Sequence, residues 1–133
     1  METYGYPALQ WGAAKEEARE AMIRIARAAG ITTYGELVKE IHSIKFGPHD
    51  FKLFHLLGQI STSEHEAGRA MLSAVVVSKD DTLPGPGFFD LAKRLGHSFM
   101  DPVQFWSVEL KKVHSVHSAE ASHRPPNRGT TQD

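Results

Sequence analysis

Apolar residues recur at spacings of three and four along much of the chain, which is the pattern of amphipathic helices. The first such stripe predicts a helix over residues 13–29 and consists of Ala14, Ala18, Met22, Ile25 and Ala29. Stripes of the same period predict further helices over residues 34–42, 50–60, 88–95 and 102–114. Two of these begin at typical helix starts, a capping box of Thr33 with Glu36 and an N-cap at Asp101 followed by proline.

Residues 71–78 depart from the helical pattern. Their sequence, MLSAVVVS, contains three consecutive valines, whose branched side chains favour an extended chain and predict a strand. A very short strand is also expected at Ile31-Thr32. Between the helix that ends at residue 60 and the strand, residues 61–66 read STSEHE and hold two overlapping capping boxes, which predict a separate helical turn.

The order of these elements predicts a mostly α fold with a small β component (α+β). The first five elements match a winged-helix-like helix-turn-helix, with extra C-terminal helices and residues 79–87 as the wing. We expect an irregular lead-in over residues 1–12 and a single domain over residues 13–114. Residues 115–133 are rich in histidine, serine and proline, and we expect a disordered tail.

Composition narrows the possible functions. The 133 residues suffice for one domain with a modest core. The chain has no cysteine, which excludes disulfides, cysteine zinc sites and a cysteine nucleophile. No apolar run approaches the roughly 20 residues of a membrane span, and the first twelve residues lack the features of a secretory signal, so we expect a cytoplasmic protein without membrane partners. The formal net charge is −1, so DNA binding would need a local basic face.

Three segments resemble the DNA-binding half of the alkylguanine-DNA alkyltransferases and the cysteine-less alkyltransferase-like proteins. ITTYGEL at residues 31–37 is similar to the start of that family's helix-turn-helix, and HLLGQI at residues 55–60 to its recognition helix. LSAVVV at residues 72–77 is similar to the strand that carries the family's alkyl-accepting cysteine. The resemblance implies a winged-helix DNA-binding fold.

The resemblance also implies roles for individual residues. Tyr34 would contact the phosphate beside a flipped nucleotide, His55 stands where the family has an arginine finger, and Ser73 takes the place of the cysteine. The cysteine, its histidine partner and the arginine are all absent here. Alkyl transfer is therefore excluded, because a serine hydroxyl without a base is a far weaker nucleophile than a thiolate.

The leading hypothesis is a non-enzymatic protein that binds duplex or altered DNA. Lysines and Arg69 would contact phosphates of the DNA backbone and so position the protein on it. No catalytic residue, metal ligand or cofactor is expected. The predicted DNA contacts are Tyr34, Lys45, Lys52, His55, Gln59, Arg69, Ser73 and Lys79.

Two alternatives remain open. The near-neutral charge and the aromatic first twelve residues favour a protein-interaction module, such as a phage, defence or regulatory component. The acidic pair Asp80-Asp81 at the wing counts against tight DNA binding. The other alternative is a small enzyme that uses His55 with Glu64 or Ser73. Against a catalytic Ser73, a strand would place it on the less buried face, in alternation with the valines.

Overall fold

The computed structural model describes residues 2–122, and it confirms a mostly helical fold with a small sheet. The helices are α1 (Ala8–Arg27), α2 (Tyr34–Val38), α3 (Phe51–Glu66), α4 (Pro86–Arg94) and α5 (Pro102–Ser122). The strands are β1 (Thr32–Thr33) and β2 (Val76–Val77), and a 3₁₀ helix covers Leu72–Val75. Within these residues, no helix combines the length and apolar character needed to cross a membrane.

Helix α1 begins directly after Pro7, so residues 8–12, predicted as an irregular lead-in, are helical. The earlier start is explained by Trp11, which is fully buried and extends the apolar stripe by one turn. Ala14 and Ala18 follow it on the buried face, and their small side chains let neighbouring elements approach closely. Helix α1 thereby forms the centre of the core, with α3, α5 and the 3₁₀ helix packed around it.

The two strands pair in parallel, with Thr32 opposite Val76 and Thr33 opposite Val77. The prediction of a strand over residues 71–78 is wrong for its first half, which forms the 3₁₀ helix. In this half, backbone N–H groups donate hydrogen bonds to side chains and not to a neighbouring strand. Glu109 accepts from the Met71 N–H at 2.9 Å, and the Ser61 hydroxyl accepts from the Ser73 N–H at 2.9 Å.

The predicted alternation along this segment is also wrong. All of residues 71–77 are buried, and Ser73 is only 7% exposed. Residues 79–85 then form a turn closed by a hydrogen bond from the Ser78 N–H to the Leu83 carbonyl. No return strand follows in the part of the chain that the structure describes.

Helix α3 is longer than predicted because it continues through the two predicted capping boxes. Asp50 caps its N-terminus by accepting a hydrogen bond from the Lys52 N–H at 2.9 Å. Ser61 and Glu64 are not caps. Both are buried and bind side chains or backbone outside the helix. The chain turns away only at Gly68, whose φ of +82° suits glycine.

Helix α2 is shorter than predicted. The Thr33 hydroxyl caps it by accepting from the Glu36 N–H at 3.2 Å, which confirms the predicted start. The helix ends at Val38, and residues 39–50 are irregular although Ile44 and Phe46 reach the core. Glu17 holds this segment, because its carboxylate accepts hydrogen bonds from the N–H groups of residues 42 and 43.

Helix α5 begins as predicted, with the Asp101 carboxylate accepting from the N–H groups of residues 103 and 104. It continues to Ser122, so residues 115–122, predicted as disordered, are helical. Burial explains the extension, since Val113 and His117 are spaced by one turn and both face the core. Residues 123–133 of the predicted tail lie outside the described residues.

Candidate ligand-binding groove

An open groove of about 690 Å³ runs along α3. One wall consists of residues 85–87 and α4, and the other is formed by Tyr4 and by Lys15 of α1. Apolar side chains supply most of the surface, and the volume suits a small organic ligand. The principal apolar residues are Tyr4, Tyr34, Phe54, Leu57, Phe88 and Leu91.

Helices α3 and α4 run in the same direction along the groove. At its start, Gly85 donates its N–H to the Tyr34 hydroxyl at 2.8 Å, and the Tyr34 ring packs edge-on against Phe54 at 5.2 Å. Further along, a Cβ on Gly58 would lie 3.7 Å from Leu91 Cδ2. The missing side chain at Gly58 therefore leaves space between the helices at the middle of the groove.

The start of the groove is aromatic. Tyr34, Phe54 and Phe88 lie on the α4 side, while Tyr4 stacks on His55 at 4.5 Å on the other side. Burial raises the pKa of Tyr34, the hydrogen bond from Gly85 opposes this, and the nearby Asp81 charge raises it further. The hydroxyl thus keeps its proton at neutral pH and can donate it to a ligand.

The far end of the groove is polar, with Gln59, Thr62, Ser63, Ser73, Lys15 and Arg94 in its lining. Gln59 has a structural role, because its Oε1 accepts from the Trp11 indole at 2.8 Å and from the Lys15 ammonium at 3.2 Å. Burial lowers the pKa of Lys15. Arg94 is exposed in the last turn of α4, and forms no ion pair with any residue that the structure describes.

Ser73 lies at the groove with its hydroxyl 2.6 Å from the Ser61 hydroxyl. His55 lines the same groove, but no hydrogen bond joins it to Ser73 among residues 2–122. Within the described residues, neither serine has a base as hydrogen-bond partner. The arrangement can therefore offer a hydroxyl to a ligand, and it does not form an activated nucleophile.

Glu64 is buried behind the groove and does not line it. Arg69 donates to both of its oxygens, at 2.7 and 2.9 Å, and Arg19 donates at 3.3 Å. The hydrogen bonds and charge of Arg69, aided by Arg19, hold the Glu64 pKa below its usual range although burial opposes this. These ion pairs occupy the carboxylate that the enzyme hypothesis would use with His55.

The groove unites half of the residues predicted to contact DNA. Tyr34, His55, Gln59 and Ser73 line it, whereas Lys45, Lys52, Arg69 and Lys79 do not. Lys52 lies over the Tyr6 ring at 5.1 Å, and Lys45 and Lys79 are exposed elsewhere. The sequence patterns did not identify Lys15 or Arg94, since each resembled an ordinary solvated position on a helix. One signal of the polar end of the groove was present in the sequence: residues become more polar along α3 from Phe54 to Ser63.

Comparison of the chain with protein-family models, with curated proteins and with solved structures gives no match. Within residues 2–122, no three or more His, Asp or Glu side chains come together as a metal site. A functional assignment therefore depends on the chemistry of the groove.

Proposed function

We propose that this chain binds DNA without covalent chemistry and that the groove along α3 accepts an unstacked base. One observation carries the proposal: the groove is aromatic at one end and cationic at the other. Bases stack on aromatic side chains with little sequence preference, and cations neutralise the phosphates. Phe54 and Tyr34 would supply the stacking surface, and Lys15 and Arg94 the charge.

Under this proposal, α2 and α3 act as the helix-turn-helix of a winged-helix-like domain. Helix α3 is the element presented to the DNA, and the turn at residues 79–85 takes the position of the wing. Exposed Lys45 and Lys79 would contact phosphates beyond the groove. Such contacts set position and orientation and carry no sequence information.

The charge distribution favours DNA whose bases are easily unstacked. The net charge of −1 and the Asp81 charge near Tyr34 both oppose close approach of an intact duplex. Extruding a base costs least when it is mismatched or already single-stranded. The expected order of affinity is single-stranded DNA and mismatched duplex above fully paired duplex.

Fluorescence anisotropy with labelled oligonucleotides of these three kinds, at low salt, tests the proposal. Phe54→Ala should weaken binding about tenfold, because stacking one base contributes roughly 1–3 kcal/mol. The matched control is Phe51→Ala on the same helix, since Phe51 is 59% exposed and does not itself line the groove, although its ring packs edge-on against His55 at 5.8 Å. Phe51→Ala should therefore weaken binding much less than Phe54→Ala. Absence of binding to all three DNAs at low salt would refute the proposal.

A protein-interaction module is the second candidate, favoured by the exposure of both Phe51 and Phe54 on α3. An amphipathic helix of a partner could bury both rings against the apolar part of the groove. The same two variants separate the candidates. A pull-down that returns a stoichiometric protein partner without nucleic acid would favour the module. Phe51→Ala and Phe54→Ala should then weaken binding of that partner to the same extent.

A further inference from the structure

The polar end of the groove lies between two cations on opposite walls. Lys15 approaches from α1 and hydrogen bonds to Gln59 on one edge of α3. Arg94 belongs to α4 and lies nearly one turn after Leu91. Leu91 is next to Gly58, on the other edge of α3. Both cations line the same groove, so each of them would attract an anion bound in it.

Hydroxyl groups line the groove between these walls. Thr62 donates its proton to the Gly58 carbonyl at 2.7 Å, whereas the Ser63 hydroxyl is exposed and has no hydrogen-bond partner among residues 2–122. No aspartate or glutamate among residues 2–122 lines the groove itself, although Glu16 lines a small adjoining cavity together with Lys15 and Ser63. The polar end therefore offers cations and a hydroxyl donor to a ligand.

The separation of the two ends sets the size of the ligand. Gln59, which holds Lys15, lies five residues after Phe54 on α3, a rise of about 7.5 Å. Arg94 lies six residues after Phe88 on α4, a rise of about 9 Å. Long cationic side chains shorten the distance that a ligand must cover. A molecule that uses both ends needs a planar ring and an anionic group separated by a short linker.

We propose that the groove binds a single nucleoside monophosphate unit, with the base at the aromatic end and the phosphate between Lys15 and Arg94. This inference rests on the proposed function and adds a direction to it. The phosphate lies at the opposite end from Tyr34, the residue that the family resemblance assigns to the phosphate. Lys15 lines the groove from the edge of α3, where its ammonium hydrogen bonds to Gln59 at 3.2 Å.

Calorimetric titration of the full chain tests the orientation, with the four nucleoside 5′-monophosphates, the four nucleosides and inorganic phosphate as probes. The best monophosphate should bind about tenfold more tightly than its nucleoside, as expected for added charge-assisted hydrogen bonds. Arg94→Gln should remove most of this difference and leave the nucleoside affinity unchanged. Lys93→Gln is the matched control, since Lys93 precedes Arg94 on the same helix and does not line the groove.

Equal affinity for monophosphate and nucleoside would overturn the inference. An equal loss of monophosphate affinity in Arg94→Gln and Lys93→Gln would also overturn it. Inorganic phosphate binding as tightly as the monophosphates would also overturn it, because the base would then contribute nothing. The same variants in the DNA assay separate the two proposals. DNA binding that is insensitive to Arg94→Gln overturns only the orientation, whereas monophosphate binding of the expected kind without DNA binding overturns only the DNA function.

Discussion

At the scale of single residues, the Ser61 hydroxyl determines the conformation of a segment distant in sequence. It accepts the Ser73 N–H at 2.9 Å and lies 2.6 Å from the Ser73 hydroxyl. A backbone N–H satisfied by a side chain does not need a neighbouring strand. This explains why Leu72–Val75 forms a 3₁₀ helix although its composition favours a strand.

The two serines should differ in their effect on stability. Ser61→Ala leaves the buried Ser73 N–H without an acceptor and should lower the free energy of unfolding by about 1–3 kcal/mol. Ser73→Ala keeps that backbone hydrogen bond and should cost less than about 1 kcal/mol. Urea unfolding followed by circular dichroism measures both. A larger loss in Ser73→Ala than in Ser61→Ala would contradict the assignment of Ser61 as the acceptor.

Glu64 should make the stability of the protein depend on pH. Its folded-state pKa lies below the unfolded value of about 4.3. The stabilisation is therefore fully present above that value, and it is lost as the pH falls through the lower folded-state pKa. Glu64→Gln should lower the free energy of unfolding at pH 7 by about 2 kcal/mol, less than for a fully buried pair because both arginines are partly exposed.

The difference between wild type and Glu64→Gln isolates this effect from Glu17, whose pKa is also lowered by hydrogen bonds from Ser43 and His42. Urea midpoints between pH 2.5 and pH 7 should converge for the two proteins at the acidic end. A difference that stays constant over this range would show that the Glu64 charge is not responsible. Arg24→Gln is the control, because it breaks the exposed ion pair with Glu40. It should change the urea midpoint little at any pH in this range.

At the scale of the elements, α3 combines a face that packs in the core with a face that lines the groove. Leu53 and Ile60 are buried in the core, while Phe54, Gly58 and Thr62 follow the groove at spacings of four. A glycine inside a helix lowers stability relative to alanine. Gly58 therefore preserves space in the groove and lowers the stability of the helix.

Gly58→Ala should separate stability from binding. The new methyl group would make ordinary contact with Leu91, and helix propensity should raise the free energy of unfolding by about 1 kcal/mol. The same methyl group narrows the middle of the groove and should weaken binding of the best nucleotide probe. Thermal unfolding and titration of one sample measure the two effects. A stabilised protein with unchanged affinity would show that the ligand does not pass Gly58.

Much of the helical structure could be predicted from the sequence because it depends on local periodicity and capping. Thr33 and Asp101 began their helices as expected, since a cap acts within one turn. The wrong prediction of a strand over residues 71–78 could not be corrected from local sequence. Its run of apolar residues is buried on all sides, and the polar groups that shape it come from Ser61 and Glu109.

The site was predicted only in part for the same reason. Tyr34, His55, Gln59 and Ser73 belong to the segments that suggested the alkyltransferase resemblance, and they do share a groove. Lys15 joins them because α1 packs against α3, and α4 brings its own cation. Helix packing of this kind has no local signature in the sequence.

At the scale of the whole molecule, the near-neutral charge limits the electrostatic part of any DNA binding. Several cations already have partners in the protein, such as Arg19 and Arg69 on Glu64. Others, such as Lys45 and Lys79, lie outside the groove. Affinity should therefore come more from stacking than from neutralised phosphates.

The salt dependence of binding should be shallow. The two phosphate contacts in the groove, at Lys15 and Arg94, correspond to a slope of about −1.4 for log K against log salt with single-stranded DNA. The contacts proposed for Lys45 and Lys79 would bring the slope to about −2.8. Anisotropy titrations between about 50 and 200 mM NaCl measure it. Arg94→Gln should reduce the slope by about 0.7. A wild-type slope steeper than about −3.5 would indicate five or more contacts, and thus a binding surface larger than the groove and these two lysines.

The parallel pairing of β1 with β2 closes residues 34–75, which include α2, α3 and the 3₁₀ helix, into one loop. Closing a long loop loses chain entropy before a two-residue ladder can compensate for it. The ladder should therefore form late in folding, after α3 has docked. In pulse-labelled hydrogen exchange, amides of Val76 and Val77 that hydrogen bond in the ladder should become protected after those of α3. At equilibrium they should exchange through a partial opening that leaves α3 docked.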